Sequence, residues 1–201
     1  MGVTKGFGPD AVAAAVGAGL RDIGENYAAE LVEKAGEVRS DPAADGARGD
    51  VVWHFLGPVQ RNKVGLLAPL VGLWESVARR EEGERIARFA PSAPVLVQVD
   101  VTGLPGRNGC PPEAVPSLVS ELGSLGLEVR GLMTVAAPGS LHQVTAVFET
   151  VGRLADRLGL EERSMGMTDD LEAAVGAGTT MVRVGRALFG ERPPRHPKDA
   201  A

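Results

Sequence analysis

Short apolar runs alternate with longer amphipathic stretches along nearly the whole chain. The runs fall at residues 3–5, 22–24, 51–56, 73–77, 95–101, 128–133, 163–165 and 180–184, the seventh being the weakest. Most lack a polar alternation, as expected of parallel strands buried on both faces. Between them, helical spacing covers residues 10–18, 28–37, 62–69, 79–89, 112–123, 142–158 and 168–177. Pro9-Asp10 opens the first helix, Thr168 with Asp169 and Asp170 reads as a cap with dipole charges, and Gly123, Gly159 and Gly178 stand at helix ends. Strands that alternate with helices predict an α/β architecture, and eight such units favour a single (β/α)8 barrel over an open sheet. No G-x-G-x-x-G follows the first strand, which argues against a dinucleotide-binding sheet. The pattern divides the chain into a barrel at 1–190 and a flexible, proline-rich tail at 191–201. The first unit reads as truncated, with few residues before Lys5, and a clipped strand would cost its neighbours ladder partners.

Composition narrows the function classes. The net charge of −5 argues against nucleic acid, whose backbone needs clustered Lys and Arg. No apolar stretch approaches the roughly 20 residues that cross a bilayer, and the N-terminal residues lack a signal-peptide core. Cys110 is the only cysteine, so no internal disulfide forms, which fits a cytoplasmic setting. No His, Cys and Asp spacing suggests a metal site. Asp169-Asp170 reads as helix N-terminal charge, and Met165 with Met167 as barrel packing.

The chemistry concentrates at two places. The segment 164–190 runs strand, loop, helix, strand, and then Gly185-Arg186 opens another helical turn. Backbone N–H groups at such a turn favour an anion, and the last two strands of a β/α barrel commonly hold a phosphate. Lys5 lies at the C-terminal end of strand one, and only four lysines occur, at 5, 34, 63 and 198. Desolvation there would lower its pKa and free the amine to attack an aldehyde, although a lysine snorkelling from a barrel rim reads the same way. Strands one and eight are neighbours in a closed barrel. One ligand could then carry a phosphate at one end and an aldehyde at the other, and pyridoxal 5′-phosphate (PLP) has that shape. Arg183, two residues before Gly185, shares its face and could reach the pyridine nitrogen or form an internal salt bridge.

These residues sit in longer motifs: Val3-Thr-Lys-Gly, Gly24-Glu-Asn-Tyr, Trp53-His-Phe-Leu-Gly-Pro-Val-Gln with Asn62-Lys63, Gly131-Leu-Met-Thr, Ser164-Met-Gly-Met-Thr-Asp-Asp and Met181-Val-Arg-Val-Gly-Arg-Ala-Leu-Phe-Gly. In that order the chain resembles the PLP homeostasis family, which is similar to the N-terminal domain of alanine racemases. The resemblance implies a type III PLP fold in which Lys5 forms the internal aldimine. It further implies that Ser164 and the backbone of Gly185 and Arg186 hold the phosphate, that Arg183 faces the pyridine nitrogen, and that Asn26 and His54 line the pocket. It implies a cytoplasmic monomer that buffers and delivers PLP to dependent apo-enzymes, with no catalytic residues of its own. The alternatives are a weak PLP-dependent racemase or lyase, and a cofactor-free barrel for a phosphorylated metabolite. Three departures from the family stand out: the short start, Glu75-Ser-Val-Ala in place of the family's His-Ser-Val-Asp, and Arg107 near the glycines of the loop after strand five.

A racemase needs two positioned acid–base groups. In the racemases that this chain resembles, the second is a tyrosine of a separate domain, and the only tyrosine here is Tyr27. An arginine cannot give its proton to the pyridine nitrogen, so the ring stays a poorer electron sink. Both points favour holding PLP over using it.

Overall fold

The computed structural model describes residues 1–40 and 51–192. The expected tail therefore lies almost wholly outside the described residues. The strands are β1 (Gly2–Val3), β2 (Asp22–Glu25), β3 (Val52–Phe55), β4 (Val71–Val77), β5 (Pro94–Val99), β6 (Glu128–Thr134) and β7 (Glu162–Ser164). They form one parallel sheet in chain order. Around it lie α1 (Pro9–Gly17), α2 (Ala28–Ser40), α3 (Val64–Leu67), α4 (Arg80–Phe89), α5 (Val115–Ser124), α6 (Leu141–Leu158), α7 (Leu171–Gly176) and α8 (Arg186–Phe189).

The eighth position is filled by residues that make isolated bridges in place of a continuous strand. Met181 bridges Ser164, and Val184 bridges Gly2. Val3 N donates to Val184 O at 2.9 Å and Val184 N to Met1 O at 3.1 Å, so the two-residue β1 is held on both flanks. The sheet thus curls into a barrel and closes on itself. The expected loss of ladder partners beside the first strand does not occur there.

Two apolar clusters result. A larger one fills the shell between sheet and helices, with Ile23, Trp53, Trp74, Val97, Leu132 and Phe148 among its members. A smaller one, Leu73, Leu96 and Met133, fills the barrel itself. Successive strand residues face opposite sides, so Trp74 points to the helices while Leu73 points inward.

Helix ends follow local chemistry. Ser140 and Gln143 form a capping box on α6, whose C-cap Gly159 takes φ 66°. The stop expected at Gly123 falls later: α5 continues to Ser124, and Gly126 supplies the left-handed turn at φ 80°. The helix expected at 62–69 shrinks to Val64–Leu67. The one expected from Thr168 starts only at Leu171, with Asp170 at its N-cap.

Candidate functional site

A cavity of about 180 Å³ opens at the C-terminal end of the sheet, room for a single small molecule. Lys5, Asn26, Arg183, Gly185 and Arg186 all line it. Alternation along the first strand explains how Lys5 arrives there. Thr4 faces outward, its hydroxyl donating to Glu25 Oε1 at 2.5 Å, so Val3 and Lys5 face the cavity. β1 ends at Val3, and Lys5 stands just beyond the ladder.

Arg183 reaches the cavity from the barrel interior and is only 5% exposed. Its Nη1 donates to Ser164 O at 2.6 Å and to Ser164 Oγ at 2.8 Å, and its Nη2 to Thr134 O at 2.6 Å. These bonds use three of five guanidinium N–H groups and leave two for a ligand. Burial lowers its pKa, against the opposing charges of Glu75 and Asp170. Ser164 Oγ donates in turn to Glu75 Oε2 at 2.5 Å. Glu75 Oε1 lies 2.7 Å from His54 Nδ1, and His54 Nε2 lies 3.0 Å from Asp22 Oδ1. A polar chain therefore runs through the barrel from the cavity to Asp22 at the start of β2. Burial opposes charge on His54, yet the hydrogen bonds and charges of Glu75 and Asp22 outweigh it and raise its pKa.

A family profile described as alanine racemase, N-terminal domain, matches residues 1–193. The PLP homeostasis protein of Pseudomonas aeruginosa is 38% identical over 96% of this chain and 84% of its own length. The structure of PipY from Synechococcus elongatus without PLP is 31% identical, with a TM-score of 0.85 over 94% of this chain and 91% of that one. PipY with PLP bound matches over the same shares with a TM-score of 0.81. The chain belongs to the PLP homeostasis family.

The family's motifs meet at the cavity, but not every motif residue reaches its wall. His54 and Ser164, both buried, sit deeper in the polar chain and are not among the lining residues. Asn26 does line the cavity, and its Oδ1 is buried with no protein partner, the state of an amide left for a ligand. Together with the Lys5 amine, the open donors of Arg183 and the glycine turn, it fits a small phosphate-bearing carbonyl compound. The Arg186 side chain pairs with Asp169 at 2.6 Å beside that turn.

Thr168, Met167 and Arg192 also line the cavity, and the motifs alone assigned them elsewhere. Thr168 looked like a helix cap, but Asp170 occupies that place and accepts from Met167 N at 2.5 Å. Met165 is buried as expected, while Met167 is 37% exposed at the cavity. Arg192 belongs to the expected tail, yet it lies against Gly6. Arg107 supports the wall from behind through Nη1 to Val135 O at 2.7 Å. Lys63 is exposed and, like Tyr27, is absent from the lining. Among the described residues no His, Cys, Asp and Glu cluster could hold a metal, and no helix is long and apolar enough to cross a membrane.

Proposed function

We propose that this protein holds PLP in the cavity, linked through Lys5, and serves cofactor homeostasis by buffering PLP and releasing it to dependent apo-enzymes inside the cell. The observation that carries the reading is the convergence of Lys5, Arg183 and the Gly185-Arg186 turn on one small cavity. Relatives named for PLP homeostasis, and PipY with PLP bound, support it. PLP supplies a reactive aldehyde and an anionic phosphate. Lys5 would hold the aldehyde carbon through its amine, with loss of water. Gly185 and Arg186 offer N–H groups to the phosphate, with Thr168 and Arg192 beside them. Arg183 would donate to the pyridine nitrogen, and Asn26, with its unpartnered Oδ1, would help orient the ring. Ser164 holds Arg183 directly, and His54 acts one step further back through Glu75. The chain works as a monomer.

Weak turnover is expected, because Arg183 donates a proton it cannot release and, among the described residues, the lining offers no second base beside Lys5. Borohydride reduction of the PLP-loaded protein should leave a pyridoxyl mass on the Lys5 peptide. Lys5→Ala should lose that mass and retain weaker, phosphate-anchored binding. A mass on another lysine, or none, would sink the assignment. Incubation with L-amino acids in deuterated water should exchange α-protons only slowly; exchange at ordinary enzyme turnover rates would replace buffering by racemase or lyase activity.

A further inference from the structure

Lys5 lies past the end of β1 and next to Gly6, which adopts φ 75°. Glycine at such a position leaves the backbone free to swing unless something outside the strand holds it. Besides the turn bond from Phe7 N to Thr4 O at 3.0 Å, two side chains of α2 do so. Lys34 Nζ donates to Thr4 O, the carbonyl immediately before Lys5, at 2.8 Å. Glu30 Oε2 accepts from Gly6 N, the amide immediately after Lys5, at 2.7 Å. The two are one helical turn apart and bonded to each other at 3.3 Å.

Lys34 is 2% exposed, and its remaining partner is Glu25 Oε1 at 2.5 Å. An ammonium has three N–H groups, and Thr4 O, Glu25 and Glu30 take all of them. Glu25 is fully buried, its Oε2 has no partner, and burial raises its pKa against the pull of Lys34 and Thr4. Such a buried pair is weak evidence for stability and better explained by placement.

We propose that Lys34 and Glu30 are positioning residues that clamp the peptide groups on either side of Lys5 and so fix where its amine stands in the cavity. This rests on Lys5 as the covalent anchor for PLP. A shift of the Lys5 backbone by about 1 Å would take the amine out of line with the aldehyde of a phosphate-anchored ligand.

Glu30→Ala, Glu30→Gln and the double variant Lys34→Met with Glu25→Gln test the clamp. The double variant avoids stranding a buried carboxylate without its cation. Amide hydrogen exchange at Gly6 is read in PLP-free protein, and the rate of borohydride-trapped adduct formation at Lys5 after PLP addition. Glu30→Ala should speed Gly6 exchange and slow adduct formation, each roughly tenfold, the loss of one charge-assisted hydrogen bond. Glu30→Gln keeps an acceptor and should recover most of both. The double variant should slow the adduct while its global melting stays cooperative. Unchanged Gly6 exchange in Glu30→Ala, or faster exchange with an unchanged adduct rate, overturns the clamp. If the wild type forms no adduct at Lys5, the PLP reading fails, and Gly6 exchange alone decides whether the clamp exists.

Discussion

Arg183 shows how one side chain serves two neighbourhoods. Its bonds to Ser164 and Thr134 fix the guanidinium, and the charge of Glu75 reaches it through the Ser164 hydroxyl. Arg183→Gln should keep the Lys5 adduct, because the amine and the phosphate turn are untouched, but shift the visible absorption of bound PLP. An unchanged spectrum would place Arg183 away from the ring. Alternation and strand ends in the sequence indicated Lys5, Arg183, Gly185 and Arg186 as cavity residues, and the family resemblance added Asn26. His54 and Ser164, which the family resemblance placed at the pocket, face inward and reach it through Glu75 and Arg183. Thr168 escaped notice because Thr-Asp-Asp before a helix is also the chemistry of a cap.

Turns between elements set the cavity as firmly as the strands do. Gly57 follows β3, and a Cβ there would lie 1.9 Å from Asn26 O, the backbone just after β2. No side chain can yield in that contact, so the two turns pack backbone against backbone. Gly57→Ala should destabilise the fold by about 1–3 kcal/mol and push Asn26 from its place. Thermal melting would report the first effect and PLP titration the second; a variant that melts and binds like wild type would contradict the packing. Element type was legible throughout the described strands, because buried parallel strands write continuous apolar runs. The eighth was less so. Thr180 to Val184 is bonded to both neighbours but in broken register, with Arg183 N donating to Gly166 O and Met181 N to Arg163 O. Helix lengths were the least legible: α3 and α7 are both shorter than the helical spacing in the sequence.

At the scale of the molecule, the polar chain ties the cavity to the opposite end of the barrel, where Asp22 meets solvent. His54 is its pH-sensitive link, faced by Asp22 on β2 and Glu75 on β4, with the charge of Glu162 on β7 felt in the same cluster. A histidine whose folded pKa lies above its unfolded value stabilises the fold fully below about 6.5 and loses that contribution as pH rises through the folded value. Glu25, Glu82 and Glu162, with pKa values raised by burial, act in the same direction, but their window opens lower, near about 4.3. The PLP-free protein should therefore melt at progressively lower temperature as pH climbs above about 6.5. His54→Gln should melt lower at pH 6 and show a flatter slope across the upper window, while both proteins keep the lower one. A wild-type melting temperature that rises over the upper window, or an equal slope in the variant, would mean that His54 is not held charged between its two carboxylates. The interior of the barrel would then be an apolar filling with incidental polar groups, and Glu75 could not bias Arg183 from below.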